Sequence, residues 1–264
     1  MSLALAAARS APAADRQIRV MVVDDAVVAR SLMMRWVDAE PDMKITAALR
    51  TGREALEQIE TSDPDVVLLD VDMPELDGIA ALPLLLRKKR DIVVIMVSTL
   101  TRRSAELSLR ALSLGATDYI PKPQTTYEAM TSAAFHSELI GKIRGLGGRR
   151  LSARDDAPAS APEEEPRPRS RPSPAQRARE AMSRRAAASE ICLRPFAVSL
   201  PRALLIGSST GGPQALAALI EKLPAAIDRA PVLITQHMPP TFTTVLAEHL
   251  TRVGGRGAHE AEHG

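Results

Sequence analysis

The sequence is short of the side chains that specialise a protein for most partners. One Cys, Cys192, stands in 264 residues, so no internal disulfide is available and a reducing compartment is expected. Three Phe, two Tyr and one Trp leave few platforms for stacking bases, which argues against a single-strand or RNA binder. Neither sign of charge prevails. The 34 Lys and Arg stand against 32 Asp and Glu, and a net charge of +2 is too small for wrapping nucleic acid or holding to anionic lipid. No apolar run nears the ~20 residues that span a bilayer, so a cytoplasmic protein with no membrane insertion is expected. The start, MSLALAAARSAPAAD, lacks the basic region of a secretion signal and reads as a flexible terminus over residues 1–17. What is present is an ordinary core composition, 45% hydrophobic and 25% charged, with length for one large or two ordinary domains.

Residues 18–148 alternate strand and helix. β-rich runs at Ile18 to Val23, Lys44 to Leu49, Val66 to Leu69, Ile92 to Val97 and Thr117 to Ile120 are each followed by helical spacing, which predicts an α/β domain with a parallel sheet covered on both faces. Helical stripes are read at Val28, Leu32 and Trp36, at Leu107, Ala111 and Leu114, and at Phe135, Leu139, Ile143 and Leu146, the last ended by Gly147 and Gly148. Pro83 is expected to kink the third helix or delay its start. From 149 to 194 the chain is rich in Arg, Pro, Ala and Glu, as in PEEEPRPRSRPSP, and buries too little to offset the entropy of ordering. It is predicted to be a disordered linker, transiently helical over Arg177 to Ala188.

In a doubly wound sheet the functional edge lies at the carboxyl ends of the strands. Here the residues closing the strands share one chemistry: Asp24 and Asp25, then Asp70, then Ser98 and Thr99, then Lys122 and Pro123. Three carboxylates at one spot repel each other and call for a hard cation such as Mg²⁺. A hydroxyl and an ammonium opposite them suit phosphoryl oxygens, and a carboxylate can attack phosphorus. Taken singly, an Asp at a strand end is also a common helix cap.

With VVLLDVDMPELDG at the third strand, the paired acids and the Lys-Pro step, residues 18–146 resemble a response-regulator receiver domain, a flavodoxin-like (βα)5 fold. The resemblance implies that Asp70 is the phospho-acceptor, that Asp24 and Asp25 help to bind Mg²⁺, and that Asp72 offers the metal a backbone carbonyl. It further implies that Ser98 is the switch hydroxyl, Lys122 the phosphate-contacting lysine and Tyr119 the aromatic that changes rotamer. A cis Lys122 to Pro123 bond is expected on the same grounds.

Residues 195–264 carry a second constellation. Gly207-Ser208-Ser209-Thr210-Gly211 satisfies G-x-S-x-G between a strand candidate, Ala203 to Ile206, and a helix whose Leu216, Leu219, Ile220 and Leu223 share a face. A glycine-rich turn of this kind is also used for phosphate loops or as plain punctuation. His237 ends the next strand, Val232 to Thr235, at the same sheet edge, where an imidazole can serve as general base. The helix after it carries Phe242, Val245, Leu246 and His249 on one face. That face would put His249 in the core, whereas His259 and His263 look solvated.

IGSSTGGPQAL with QHMPPTFT, behind a receiver and a linker, is similar to the chemotaxis protein-glutamate methylesterases, the CheB family. The resemblance implies Ser209 as nucleophile, Thr210 as its active-site neighbour and His237 as base, with no cofactor for the esterase. It implies hydrolysis of glutamate methyl esters, and deamidation of glutamines, on methyl-accepting chemoreceptors, under control of a chemotaxis histidine kinase. The family's triad Asp has no counterpart before Gly264, so a C-terminally shortened chain holding the first part of a doubly wound esterase domain is expected. Asp228, Glu248, Glu260 and Glu262 are poor substitutes by position, the last two lying in a tail with no anchor. The competing reading is a receiver that acts only as a phosphoryl-controlled binding module. A transcriptional regulator is disfavoured because nothing after the linker resembles a helix-turn-helix.

Overall fold

Five runs of aliphatic residues form one parallel sheet in the order β2-β1-β3-β4-β5: β1 Ile18–Val23, β2 Met43–Leu49, β3 Val66–Asp70, β4 Val93–Thr99 and β5 Asp118–Lys122. Helices α1 Val27–Asp38, α2 Gly52–Ser62, α3 Gly78–Lys88 and α4 Arg102–Ser113 connect them, and α5 Ala133–Asp155 follows β5. The chain then forms β6 Leu204–Ser208, α6 Gly212–Lys222, β7 Val232–Gln236 and α7 Pro240–Gly254, with β6 and β7 paired in parallel. This computed structural model describes residues 17–123, 132–155, 202–223 and 230–262. The N-terminal stretch 1–16, most of the predicted linker with Cys192 and the helix proposed over 177–188, and Asp228 and His263 lie outside the described residues.

The sheet is apolar on both faces because successive side chains of each strand alternate sides. Met21, Val23, Val67, Leu69, Val94 and Met96 join the core under α2, α3 and α4, whereas Val20, Val22, Val66, Leu68, Ile95 and Val97 join the one under α1 and α5. Side-chain caps fix where helices begin: Thr51 accepts the Glu54 N–H at 3.2 Å, Asp77 that of Ala80 at 2.7 Å and Thr101 that of Ser104 at 3.1 Å. Asp77 caps α3 ahead of Pro83's own turn, so the helix starts at Gly78 without delay and includes the proline.

Several expectations fail for physical reasons. Gly147 and Gly148 do not end the last receiver helix, which continues to Asp155. A Cβ at Gly147 would collide with Ile18 and Val66, so this glycine lets the helix approach the sheet closely, at a propensity cost of about 1 kcal/mol. On α1 the buried face is Leu32, Met33 and Val37, and Val28 is half exposed. On α4 it is Ser104, Ala105, Ser108, Leu109, Ala111 and Leu112, with Leu114 turned outward. In both helices two overlapping stripes fit a 3.6-residue period, and packing on the sheet selects one. Every peptide among the described residues is trans, including Lys122 to Pro123. Lys122 is the last residue of β5 and pairs with Thr99, so the chain is extended there, and trans is the favoured isomer even before Pro.

The β6-α6-β7-α7 segment belongs to the same compact unit as the receiver. Among the described residues its sheet has two strands, and Leu205 and Leu233 on one face are exposed, at 73% and 58%. The opposite side is well packed. Leu216, Ile220, Phe242, Val245, Leu246 and Leu250 from α6 and α7 continue the core beneath α4, and the Phe242 ring stacks on Tyr119 with centroids 4.8 Å apart. His249 is only half-buried, with Leu250 taking the core position beside it. Burial holds the His249 imidazole below its ordinary pKa, and Arg252 adds to the effect. The tail after α7 is anchored, contrary to expectation. Thr251 accepts the Ala258 N–H at 2.8 Å, and the Thr243 and Thr244 hydroxyls each donate to Glu260 at 2.6 Å.

Candidate functional site

The acidic cluster assembles where the strand order reverses, between β1 and β3. Asp24 and Asp25 leave β1 and Asp70 closes β3, and a carboxylate oxygen of each lies within 4.8 Å of the others. Asp24 is fully buried, Asp70 nearly so, and Asp25 is open to solvent. From β5, Lys122 reaches between the two buried acids, 2.7 Å from Asp24 and 2.9 Å from Asp70. Asp24 also accepts the Ala26 N–H at 2.9 Å, and Asp70 that of Val71 at 2.8 Å. The close approach of Gly78 supports the acceptor strand: its N–H donates to the Val71 carbonyl at 3.0 Å, and a Cβ there would strike the Asp70 carbonyl. Hard oxygen donors with one exposed member suit Mg²⁺, which keeps several waters, so Asp24, Asp25 and Asp70 fit the implied ion. Asp72 is exposed beyond the end of β3 and lines a separate groove between α3 and α4.

Burial pushes the Asp70 carboxyl up to about 6; Lys122 opposes this and the Asp24 charge reinforces it. Burial works against the Lys122 charge, but Asp70 and Asp24 hold its pKa above the ordinary lysine value. These shifts bear on stability. The folded protein binds the Asp70 proton more tightly than the unfolded chain, whose carboxyl titrates near 3.8. That contribution is therefore complete below pH 3.8 and lost as pH rises through about 6. Asp70→Asn is uncharged at every pH, so at pH 8 without divalent cations it is expected to be the more stable by about 1–3 kcal/mol. The difference should close toward pH 4, and also when Mg²⁺ is added to stabilise the parent chain. Thermal unfolding at the two pH values checks this; equal midpoints at pH 8 would contradict it.

Ser98 lies one strand over from Asp70, almost fully buried, and its hydroxyl is 2.9 Å from that of Ser108 on α4. Tyr119 is also buried, with the Lys142 ammonium 5.2 Å from its ring centroid and Phe242 stacked against it.

The second site is built at the β6 to α6 turn. Gly211 caps α6 in the left-handed region, at φ 70°, where a glycine is least strained. The turn exposes Ser209 and Thr210, and His237, directly after β7, is exposed at the same sheet edge. Sequence reasoning missed the residue that ties them together. Gln236 accepts from the Ser208 hydroxyl at 2.6 Å and donates to the Ser209 carbonyl at 3.0 Å and the His237 carbonyl at 3.1 Å. Gly212 has no room for a Cβ because of this side chain, and the glycine after Gly211 was the available signal. Ser209, Thr210 and His237 line one cavity of about 420 Å³ together with Asp118, Tyr119, Glu138 and Lys142 of the receiver.

Among the described residues no hydrogen bond joins Ser209 to His237, and no carboxylate bonds to His237. Glu248 pairs instead with Arg102 at 2.7 Å, Glu260 is held by Thr243 and Thr244, and Glu262 is exposed. Asp118, unnoticed in the sequence, is buried in the cavity wall 3.3 Å from Lys142. Burial raises its pKa, against the opposing influence of Lys142.

Comparison with known proteins places both halves. Residues 20–134 match the response regulator receiver domain family, and residues 204–264 match the CheB methylesterase family. A "Protein-glutamate methylesterase/protein-glutamine glutaminase" of Nitrobacter hamburgensis is 58% identical over 92% of this chain and 60% of its own length. One of the same description from Rhodopseudomonas palustris is 56% identical over 100% of this chain and 67% of its own. The chain thus spans roughly two thirds of the length of these curated relatives. Among solved structures, the response regulator domain of Thermotoga maritima CheB is 40% identical, with a TM-score of 0.45, over 50% of this chain and 98% of that one.

Proposed function

Since the chain belongs to the protein-glutamate methylesterase/protein-glutamine glutaminase family, we propose that it is a cytoplasmic chemotaxis regulator in which phosphorylation of Asp70 controls hydrolysis at Ser209. The donor is a chemotaxis histidine kinase. The substrates are methyl-accepting chemoreceptors, whose glutamate methyl esters are hydrolysed and whose glutamines are deamidated. Nucleic acid has no part in this reading.

At the first site an Asp70 oxygen attacks the phosphorus of the phosphohistidine, the bond to the imidazole nitrogen breaks, and an acyl phosphate remains. Lys122 and the Ser98 hydroxyl supply donors for the phosphoryl oxygens. When bound, Mg²⁺ relieves the repulsion among Asp24, Asp25 and Asp70 and offsets the charge brought by the phosphoryl group. At the second site the Ser209 hydroxyl attacks the ester carbonyl and His237 takes its proton, then returns it to the departing methoxide, releasing methanol. Water completes the cycle by hydrolysing the acyl-serine, and with a glutamine substrate ammonia leaves instead. Backbone N–H groups at the start of α6 face the oxyanion, and Gln236 keeps that turn in shape.

The single observation that carries this reading is the shared cavity: Ser209, Thr210 and His237 face a wall made of receiver residues, among them Tyr119. Incubated with methyl-labelled receptor membranes, the chain is expected to release labelled methanol. The lack of a Ser209 to His237 hydrogen bond favours the second reading, a receiver acting purely as a binding module. That reading predicts no methanol above the buffer level.

A further inference from the structure

Ser108 is, with Ser104, one of two polar residues on the buried face of α4. Its neighbours along that face are Ala105, Leu109, Ala111 and Leu112, and it is itself fully buried. Serine is a weaker helix former than alanine, and a buried hydroxyl without a partner is costly. The partner that offsets this cost is Ser98, also buried, with the two oxygens 2.9 Å apart. Among the described residues the Ser98 side chain meets Ser108 and makes no hydrogen bond to Asp70.

We infer that Ser108 is a positioning residue that holds the Ser98 hydroxyl on α4 and away from the acceptor until a phosphoryl group competes for it. The inference rests on the roles proposed above for Asp70 and Ser98. Either hydroxyl can donate in this pair, and in both cases the Ser98 oxygen is held beside Ser108, so turning it toward a phosphoryl oxygen on Asp70 breaks the contact. Recruiting Ser98 to the phosphoryl group therefore gives up an arrangement already satisfied in a dry interior, and the exchange subtracts from the affinity of the activated state. The first turn of α4 is held independently. The Ser104 hydroxyl lies 2.8 Å from Thr99 and receives a hydrogen bond from Thr101 at 2.8 Å, so removing the Ser108 hydroxyl leaves the helix anchored to the end of β4.

The test uses the full chain and beryllofluoride with Mg²⁺, a phosphoryl mimic, titrated by calorimetry, with thermal midpoints recorded for each variant. Ser108→Ala is expected to bind the mimic about fivefold more tightly than the parent, the equivalent of one ordinary hydrogen bond. In a Ser98→Ala background the same substitution should leave affinity unchanged, because there is no hydroxyl left to release. A merely structural role for Ser108 would shift both backgrounds equally. Unchanged or weaker binding by Ser108→Ala, or an equal gain in both backgrounds, overturns the inference. Asp70→Asn separates the two levels: if it binds the mimic as tightly as the parent, the phosphoryl-site reading itself fails. If it loses binding while Ser108→Ala changes nothing, only the role of Ser108 fails.

Discussion

Asp70→Asn takes up no phosphoryl label from acetyl phosphate in Mg²⁺ above the protein-free background, while the parent chain is labelled. The expectation follows from the geometry around β3. An amide nitrogen or oxygen is a poor nucleophile beside a carboxylate, and nothing else in the cluster is placed to substitute. Asp24 is fully buried, with one oxygen against Lys122 at 2.7 Å and the other accepting the Ala26 N–H at 2.9 Å, so both are engaged. Asp25 is exposed, and among the described residues no ammonium pairs with it. Asp70 alone combines access, a close ammonium at 2.9 Å and a pKa near 6, which leaves it mostly ionised at neutral pH. Comparable labelling of the variant would move the acceptor elsewhere, and Asp24→Asn would be the next chain to label.

Ser209→Ala is expected to lower methanol release by about 10⁴-fold or more, the size of loss that follows removal of a serine nucleophile from a working serine hydrolase. The residual rate would come from the α6 N-terminus and substrate positioning alone. The substitution should leave the fold intact, because Ser209 is exposed and the turn is held by Gln236 through backbone carbonyls and Ser208. Phosphoryl labelling of Asp70 should be untouched, which separates loss of chemistry from loss of structure. Release within about tenfold of the parent would mean that Ser209 is not the nucleophile.

The strands and the strand-end residues were legible because both depend on local signals. Runs such as Val66 to Asp70 are apolar at every position, as a sheet buried on both faces requires, and their last residues fall at one edge by topology alone. The fold accordingly brings Asp24, Asp70 and Lys122 within hydrogen-bonding distance, and Ser209 and His237 into one cavity. What escaped depends on partners distant in sequence. Phe242 reads as an ordinary helix-face residue, and only the fold shows it stacked on Tyr119. Gln236 opens the QHMPPTFT run, but nothing local shows that its side chain holds both Ser209 and His237 across the turn. Gly147 looked like a stop signal because the side chains it nestles against, Ile18 and Val66, lie in strands far earlier in the chain. The tail looked loose because a Glu with two threonine partners, Thr243 and Thr244, has no local signature.

The central claim is that one chain couples a phosphoryl site at Asp70 to hydrolysis at Ser209 through the receiver wall of the shared cavity. Methanol release from methylated receptors, measured with and without acetyl phosphate in Mg²⁺ for the parent chain and for Asp70→Asn, tests it most directly. The donor is expected to raise release by the parent chain and to leave the variant at its basal rate. A rate indifferent to the donor in the parent chain, or raised equally in both, would contradict it.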